Sequence, residues 1–251
     1  MTLIARAVLL AAGLTLAQAA SADTTLDTRA FTLTHEGDFA FPTMAVLSDQ
    51  DGTIQIGFKG LQPDAVTALD EGHYPWYTSA MSTSFIDTSV KTGYRIASMT
   101  LRGSVTGTPL PAVPTRCGQA GYSCVPGVAT SAATLSWSTY VGDASTQHGN
   151  LQWNNLNGTE AFALTADAPR TGAFSLYFDL YNTVFAQAGL DTYEGNTYSS
   201  FYASSSSFAF SDLTLTVQVV AVPEPATYAM LLGGLGFMGL TARRRRTAPR
   251  G

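Results

Sequence analysis

The chain has 251 residues, 45% hydrophobic and only 12% charged, with a formal net charge of −5 at pH 7. So few charges exclude an intrinsically disordered, solvated chain, and a pI near 5.0 excludes a nucleic-acid binder. A mean hydropathy of +0.10 is too low for a polytopic membrane protein, and 2 cysteines exclude a disulfide-dense miniprotein or an all-cysteine zinc site.

The N-terminus has one positive charge, Arg6, before an apolar run from Ala7 to Ala17 and a set of small residues. That layout is a secretory signal peptide, and the run is too short to span a bilayer core of about 30 Å. Cleavage fits after Ala19 or after Ala22. The second is favoured because the mature chain then starts polar, so residues 1–22 are read as the signal and signal peptidase as a processing partner.

The body, residues 23–221, is long enough for one large domain with a real core. Its hydrophobic period is two, the pattern of strands with one wet and one dry face. Phe31 and Leu33 alternate with Thr32 and Thr34. Asp49-Gln50-Asp51-Gly52 separates Ala45–Leu47 from Thr53–Ile56 and reads as a hairpin turn. Tyr94–Val105 changes face between Ile96 and Met99, which calls for a bulge. Leu135 and Trp137 form another dry face. Asn157-Gly158 lies between Leu151–Trp153 and Glu160–Leu164 and carries a second hairpin signal. Phe174, Leu176, Phe178 and Leu180 alternate with Ser175, Tyr177, Asp179 and Tyr181. Thr183–Leu190 has room for a short helix. Leu213, Leu215, Val217, Val219 and Ala221 close the body. About nine or ten strands without a repeat predict an all-β fold, an antiparallel β-sandwich of jelly-roll type.

Cys117 and Cys124 sit in a stretch flanked by Pro109, Pro111, Pro114 and Pro126, a surface loop between strands. Export to an oxidising compartment predicts that they form a disulfide, worth about 2.5 kcal/mol for so short a ring. Their spacing is not that of a redox motif, and nothing nearby lowers a thiol pKa.

No catalytic or metal motif appears in the body. There is no nucleophile elbow, P-loop, dinucleotide fingerprint or paired zinc histidines, and His35, His73 and His148 fall in separate segments. Asp49–Gly52 lacks the further acids of a calcium loop and is better explained as a turn. Glu36, Glu71, Glu160 and Glu194 are a thin supply for a glycosidase, and none lies in a motif. The expectation is a protein that is not an enzyme, with no cofactor and no metal. Two aromatic groups remain. Tyr74, Trp76 and Tyr77 lie in a Pro-broken loop, and Tyr193, Tyr198, Phe201 and Tyr202 in a Ser-rich stretch. The first is the candidate sugar-stacking platform, because a ring face beside polar groups suits a sugar ring. The competing account is that these rings cover the end of the core.

The tail has three parts. Val222-Pro223-Glu224-Pro225 comes first, and Ala226–Ala242 follows without a charge. Arg243, Arg244, Arg245 and Arg246 come last. A helix over 226–242 would be about 25 Å long, the short limit for a membrane span, with the arginines held in the cytoplasm. Pro223 stiffens the segment above that helix and Pro225 suits its first turn. This tail resembles the PEP-CTERM sorting signal, and the resemblance is confined to residues 222–251. It implies that exosortase, a membrane cysteine protease-transpeptidase, cuts near the motif. It also implies that the body passes from a transient inner-membrane anchor to the cell surface or extracellular matrix, in bacteria that make exopolysaccharide and live in biofilm or floc.

The sequence therefore predicts an exported, exosortase-sorted protein, non-catalytic and structural in a biofilm or exopolysaccharide matrix. The alternative is a carbohydrate-binding module for exopolysaccharide. A secreted hydrolase stands last, and no nucleic-acid partner is expected.

Overall fold

The computed structural model describes residues 25–35, 43–167, 169–195 and 199–223, with Met230, Leu232, Gly233, Leu235 and Met238 of the tail. The signal peptide expected over 1–22, together with Glu36, Tyr198, Glu224, Pro225 and Arg243–Arg246, lies outside these residues. The described strands are, in order, β1 (Thr25–Asp27), β2 (Phe31–His35), β3 (Thr43–Gln50), β4 (Thr53–Lys59), β5 (Val66–Asp70), β6 (Trp76–Val90), β7 (Tyr94–Leu110) and β8 (Tyr122–Val125). They continue as β9 (Val128–Val141), β10 (Ala144–Asn154), β11 (Gly158–Ala166), β12 (Ala173–Gln187), β13 (Gly189–Tyr193), β14 (Ser199–Tyr202) and β15 (Ser204–Ala221).

Two antiparallel sheets form the sandwich. The first runs β1-β2-β6-β12-β9-β10, and the second runs β11-β7-β15-β4-β3 with β5 also paired to β15. The chain passes directly between the two sheets from β2 to β3, β5 to β6, β6 to β7, β10 to β11 and β11 to β12, the alternation of a double-sheet jelly roll. A small third sheet, β14-β13-β8, caps one end. β12 and β15 are the central strands, and both follow the two-residue period. β12 buries every second residue from Phe174 to Ala186. The two inner faces meet in rings. Phe178 of β12 stacks on Trp137 at 6.1 Å and touches Phe58 of the other sheet at 5.9 Å, and Trp153 meets Phe162 at 5.6 Å.

Local signals settle the details. Asp51 and Gly52 both have positive φ (47° and 78°) and join β3 to β4 as a two-residue hairpin. A Cβ on Gly52 would come within 3.0 Å of the Val219 carbonyl oxygen. The face switch in β7 is a bulge at Ala97, which the β15 register skips. A second irregularity faces Gly103, where β15 fits two residues, Asp212 and Leu213, against one. A third places His148 outside the β9–β10 register.

Three expectations change. Thr183–Leu190 is not a helix. It belongs to β12 and the start of β13, because Val184 and Ala186 continue the buried period and both flanking strands pair through this segment. Asn157-Gly158 does not close a hairpin. β10 lies in the first sheet and β11 in the second, so the turn is a corner that lets Trp153 and Phe162 meet in the core from opposite layers. The described strands number fifteen rather than nine or ten, because β1, β5, β8, β13 and β14 are short, with 3–5 residues each, and because β6, with 15, has Thr78, Ala80, Ser82, Ser84 and Thr88 at its inward positions and Tyr77, Met81 and Phe85 at its wet ones, which erases the apolar alternation. Among the described residues no helix is long and apolar enough to cross a membrane. Met230, Leu232, Leu235 and Met238 are helical and exposed.

Candidate functional site

The first sheet's outer face is built by the wet positions of β6, β12, β9 and β10. Strand register fixes their neighbours. Across β6, β12 and β9 the rows read Asp87–Ser175–Tyr140, then Phe85–Tyr177–Ser138, then Thr83–Asp179–Ser136. Next come Met81–Tyr181–Thr134, Ser79–Thr183–Ala132 and Tyr77–Phe185–Thr130. β10 extends the rows with Gln147, Asn150, Gln152 and Asn154. Large rings thus stand on the polar side of strands, Phe85 and Tyr77 exposed and Tyr140, Tyr177, Tyr181 and Phe185 half-buried against their neighbours.

The rings fall into two groups. Near one end Phe85 packs on Tyr177 at 4.6 Å between centroids, and Tyr140 lies 6.0 Å from each. Toward the other end the Tyr77 and Tyr181 hydroxyls are 3.0 Å apart, beside Phe185. Tyr177 and Tyr181 are four residues apart in β12, so the groups are separated by roughly 13 Å along the strand. Phe85 is 46% exposed and Tyr77 60%. Each group borders a hollow. One of about 310 Å³ is lined by Thr34, Asp87, Ser89, Tyr140 and Ser175, and one of about 260 Å³ by Tyr77, Thr130, Asn154, Thr183 and Phe185. They lie at opposite ends of the same face, roughly 30 Å apart along β12.

The polar groups are held in place. Asp179 accepts a hydrogen bond from the Thr83 hydroxyl at 3.1 Å, and Asp87 accepts one from Ser175. Hydrogen bonds from Thr183 and Tyr181 push the Tyr77 hydroxyl below the usual phenol pKa. Burial, then the neighbouring Asp179 and Tyr140, pushes Tyr177 up, so Tyr177 stays protonated and keeps its donor. The amides of Asn150, Gln152 and Asn154 can both donate and accept. Such a surface offers flat apolar rings flanked by two-way hydrogen-bonding groups, which matches a chain of rings bearing hydroxyls.

Of the expected sugar-stacking residues, Tyr77 is on this face. Trp76 precedes it in β6 and so points to the opposite side, 56% exposed beyond the end of the core. Tyr74 is 82% exposed in the β5–β6 connection. The second aromatic group belongs to the cap. Tyr202 donates to the buried Asp191 at 2.6 Å, Tyr193 packs on Tyr122 at 5.0 Å, and Phe201 sits against Gly72, where a Cβ would come within 2.3 Å. Cys117 and Cys124 are disulfide-bonded, and Cys124 pairs with Asp191 across β8 and β13. Glu71, Glu160 and Glu194 are exposed and lie off the first sheet. His35 is buried in β2, and His148 bonds Thr139 at 2.8 Å, so the histidines stay apart. Among the described residues no three His, Cys, Asp or Glu converge as metal ligands.

Tyr177, Tyr181, Phe85, Tyr140 and Phe185 were missed as site residues. The signal was present. Tyr177 and Tyr181 occupy wet positions of a clear alternation, and an aromatic ring at a wet position is out of place unless something covers or binds it.

At the other end of the fold β15 finishes at Ala221, and the Val222 N–H donates to the Gly93 carbonyl at 2.8 Å. The sorting segment starts where the ladder stops. Residues 221–246 match the family model described as the PEP-CTERM protein-sorting motif. That motif is the mark of exported proteins processed by exosortase. No curated protein matches the chain. A solved structure titled "CBM4 structure and function" is similar at 13% identity over 77% of this chain and 86% of its own, with a TM-score of 0.18.

Proposed function

We propose that this is an exported, non-catalytic surface protein that holds a glycan along the outer face of its first sheet, after the tail has delivered it to the cell surface or matrix. The observation that carries this reading is the pair of ring groups on one open sheet face, each beside a hollow and flanked by fixed hydroxyls and amides. The acids on that face support binding rather than hydrolysis. Asp179 is level with Thr83, and Asp87 is four residues further along β6, so the two carboxylates stand roughly 14 Å apart. Glycoside hydrolysis needs a pair about 5 to 9.5 Å apart.

The mature protein, recovered from its own host, should be retained on that host's extracellular polysaccharide. The double variant Tyr177→Ala, Tyr181→Ala should wash through at a temperature where it is still folded, with a melting temperature lowered by the lost cross-strand ring packing. Equal retention of both proteins would reject the face as the binding site. The intact mass of the surface-fraction protein should end near Val222–Pro225. A mass that still includes Arg243–Arg246 would reject the sorting step and leave a protein that keeps its tail.

A further inference from the structure

We infer that the glycan held on this face is an uncharged polysaccharide, bound along several consecutive sugar units, and not an acidic one. The inference rests on the glycan-holding reading and adds the ligand's chemical class. The body between 23 and 222 has 17 acidic and 7 basic side chains, a net charge near −10. Six of the seven bases lie off the face, and the seventh, Lys91, stands at its β1–β2 edge already neutralised by Asp27, which is bonded to Thr32 there. Arg29 pairs with Asp49 at 2.8 Å, and Lys91 pairs with Asp27 at 2.8 Å. Arg170 donates to Thr139, an inward position of β9. Lys59, Arg95 and Arg102 belong to strands of the second sheet, and Arg116 lies over the Tyr122 ring in the cap. The acids the face carries are Asp27, which Lys91 neutralises, and Asp87 and Asp179, which have no countercharge.

A polymer of uronic acids, or one bearing sulfate or phosphate, would meet two carboxylates with no countercharge. It would also approach against the field of the whole body, which screening damps only beyond about 8 Å at physiological ionic strength. Burying an unpaired charge against a ring costs more than the stacking returns. A neutral sugar meets neither obstacle. Its hydroxyls both donate and accept, as do the amides of Asn150, Gln152 and Asn154. The lone pairs left on Asp179 by Thr83 accept a hydroxyl in a charge-assisted bond. The two ring groups, roughly 13 Å apart along β12, stack on separate sugars of one extended chain.

The test is affinity electrophoresis of the full mature protein, with chelator present. The gels contain neutral polysaccharides (mixed-linkage β-glucan, xyloglucan, galactomannan, xylan, hydroxyethylcellulose) or acidic ones (alginate, polygalacturonate, hyaluronan). The expected result is retention in at least one neutral gel, unchanged between 20 mM and 150 mM salt, and free migration in every acidic gel. Tyr177→Ala and Tyr181→Ala should each weaken retention about tenfold, and Asp179→Asn should weaken it less than either. Retention in acidic gels alone would overturn this inference and leave the glycan reading standing. Retention in no gel would overturn both. Neutral retention that survives Tyr177→Ala and Tyr181→Ala together would place the binding elsewhere and overturn the inference for this face.

Discussion

The two outer faces of the sandwich are made by the same rule and end up with opposite characters. On the second sheet many wet positions of β7, β15 and β11 are short hydroxyl residues, and several of them pair across the strands. Thr100 meets Thr165 at 3.1 Å, Ser104 meets Ser211 at 2.8 Å, and Thr106 meets Thr159 at 2.9 Å. Gln218 accepts from Thr53 at 3.1 Å. Those hydroxyls direct their donors to cross-strand neighbours and carry no ring beside them, so this part of the face offers a partner little to grip. On the first sheet the wet positions carry Phe85, Tyr140, Tyr177, Tyr181 and Phe185, with amides in the outermost strand. Exposed rings gain nothing from water, and the amides have capacity left over. Alternation thus decides which side of a strand is wet, while the side chains at the wet positions decide whether that side is inert or sticky.

The largest expected effect separates the faces directly. Removing both rings in Tyr177→Ala, Tyr181→Ala should cost about a hundredfold in glycan affinity, or about 2.8 kcal/mol. Removing two wet hydroxyls of the other sheet in Thr214→Ala, Thr216→Ala should leave affinity unchanged. Titration calorimetry against the retained polysaccharide reads both. Equal losses would mean that the two faces do not differ in function.

A smaller effect tests what holds the ring-bearing strand in place. Asp70 ends β5, is 4% exposed, and accepts from the Ala188 N–H at 2.8 Å and the Gly72 N–H at 2.8 Å. Burial pushes its carboxyl up, but the backbone donors of Ala188, Gly72 and His73 outweigh that and hold it below the usual value of 3.8. It ties the end of β12 to the loop that precedes β6, so it anchors both strands that carry rings. Asp70→Ala leaves these buried N–H groups unpaired and should cost about 1 to 3 kcal/mol of stability, read as a lower melting temperature. Glycan affinity at a temperature where the variant is folded should fall only if the two strands shift.

Acid should act on the first sheet before the second. Burial lowers the pKa of His35 in β2, and burial followed by the Arg170 charge lowers that of His148 in β10, both from 6.5. The unfolded chain then binds more protons than the folded one below pH 6.5. The stability these neutral histidines contribute is complete above 6.5 and is lost as pH falls through their folded values. Asp70 adds a second stage, complete above 3.8 and lost below it as its carboxyl protonates. Melting temperature should fall in those two stages. Hydrogen exchange, corrected for intrinsic rates, should show β2 and β10 losing protection before β7 and β15. Simultaneous loss in all four strands would show that the histidines do not localise the acid response.

Much of the fold was legible because period two is a strong signal in strands as long as β12 and β15. Gly52 and the Ile96–Met99 face switch even located a turn and a bulge. Most short strands were invisible because three to five residues carry little of a period, although β2 at five showed one, and the 15-residue β6 was invisible because its rings sit on its wet side and small polar residues on its dry one. The corner at Asn157-Gly158 was misread because a turn signal says that the chain bends, not which sheet it bends into. The site was half legible. Tyr74, Trp76 and Tyr77 stand together in sequence, yet alternation sends Trp76 and Tyr77 to opposite sides. The rings that do share a face come from three strands 37 to 92 residues apart in the chain (Phe85, Tyr140 and Tyr177). Proximity along the chain is a poor guide in a sandwich whose neighbours in the sheet are distant in sequence.

The smallest effect asks whether the hydroxyl face is inert or merely quiet. Thr100 and Thr165 are cross-strand partners on an exposed surface, so Thr100→Ala should cost only about 0.2 to 1 kcal/mol. The double variant Thr100→Ala, Thr165→Ala should cost less than the two single changes added, because the second change removes a hydroxyl that has already lost its partner. A full thermodynamic cycle by denaturant melts measures that difference. A coupling of zero would mean that water serves these hydroxyls as well as they serve each other. The second face would then have free hydrogen-bonding capacity like the first and would lack only its rings, and any difference in glycan affinity between the two faces would rest on the rings alone.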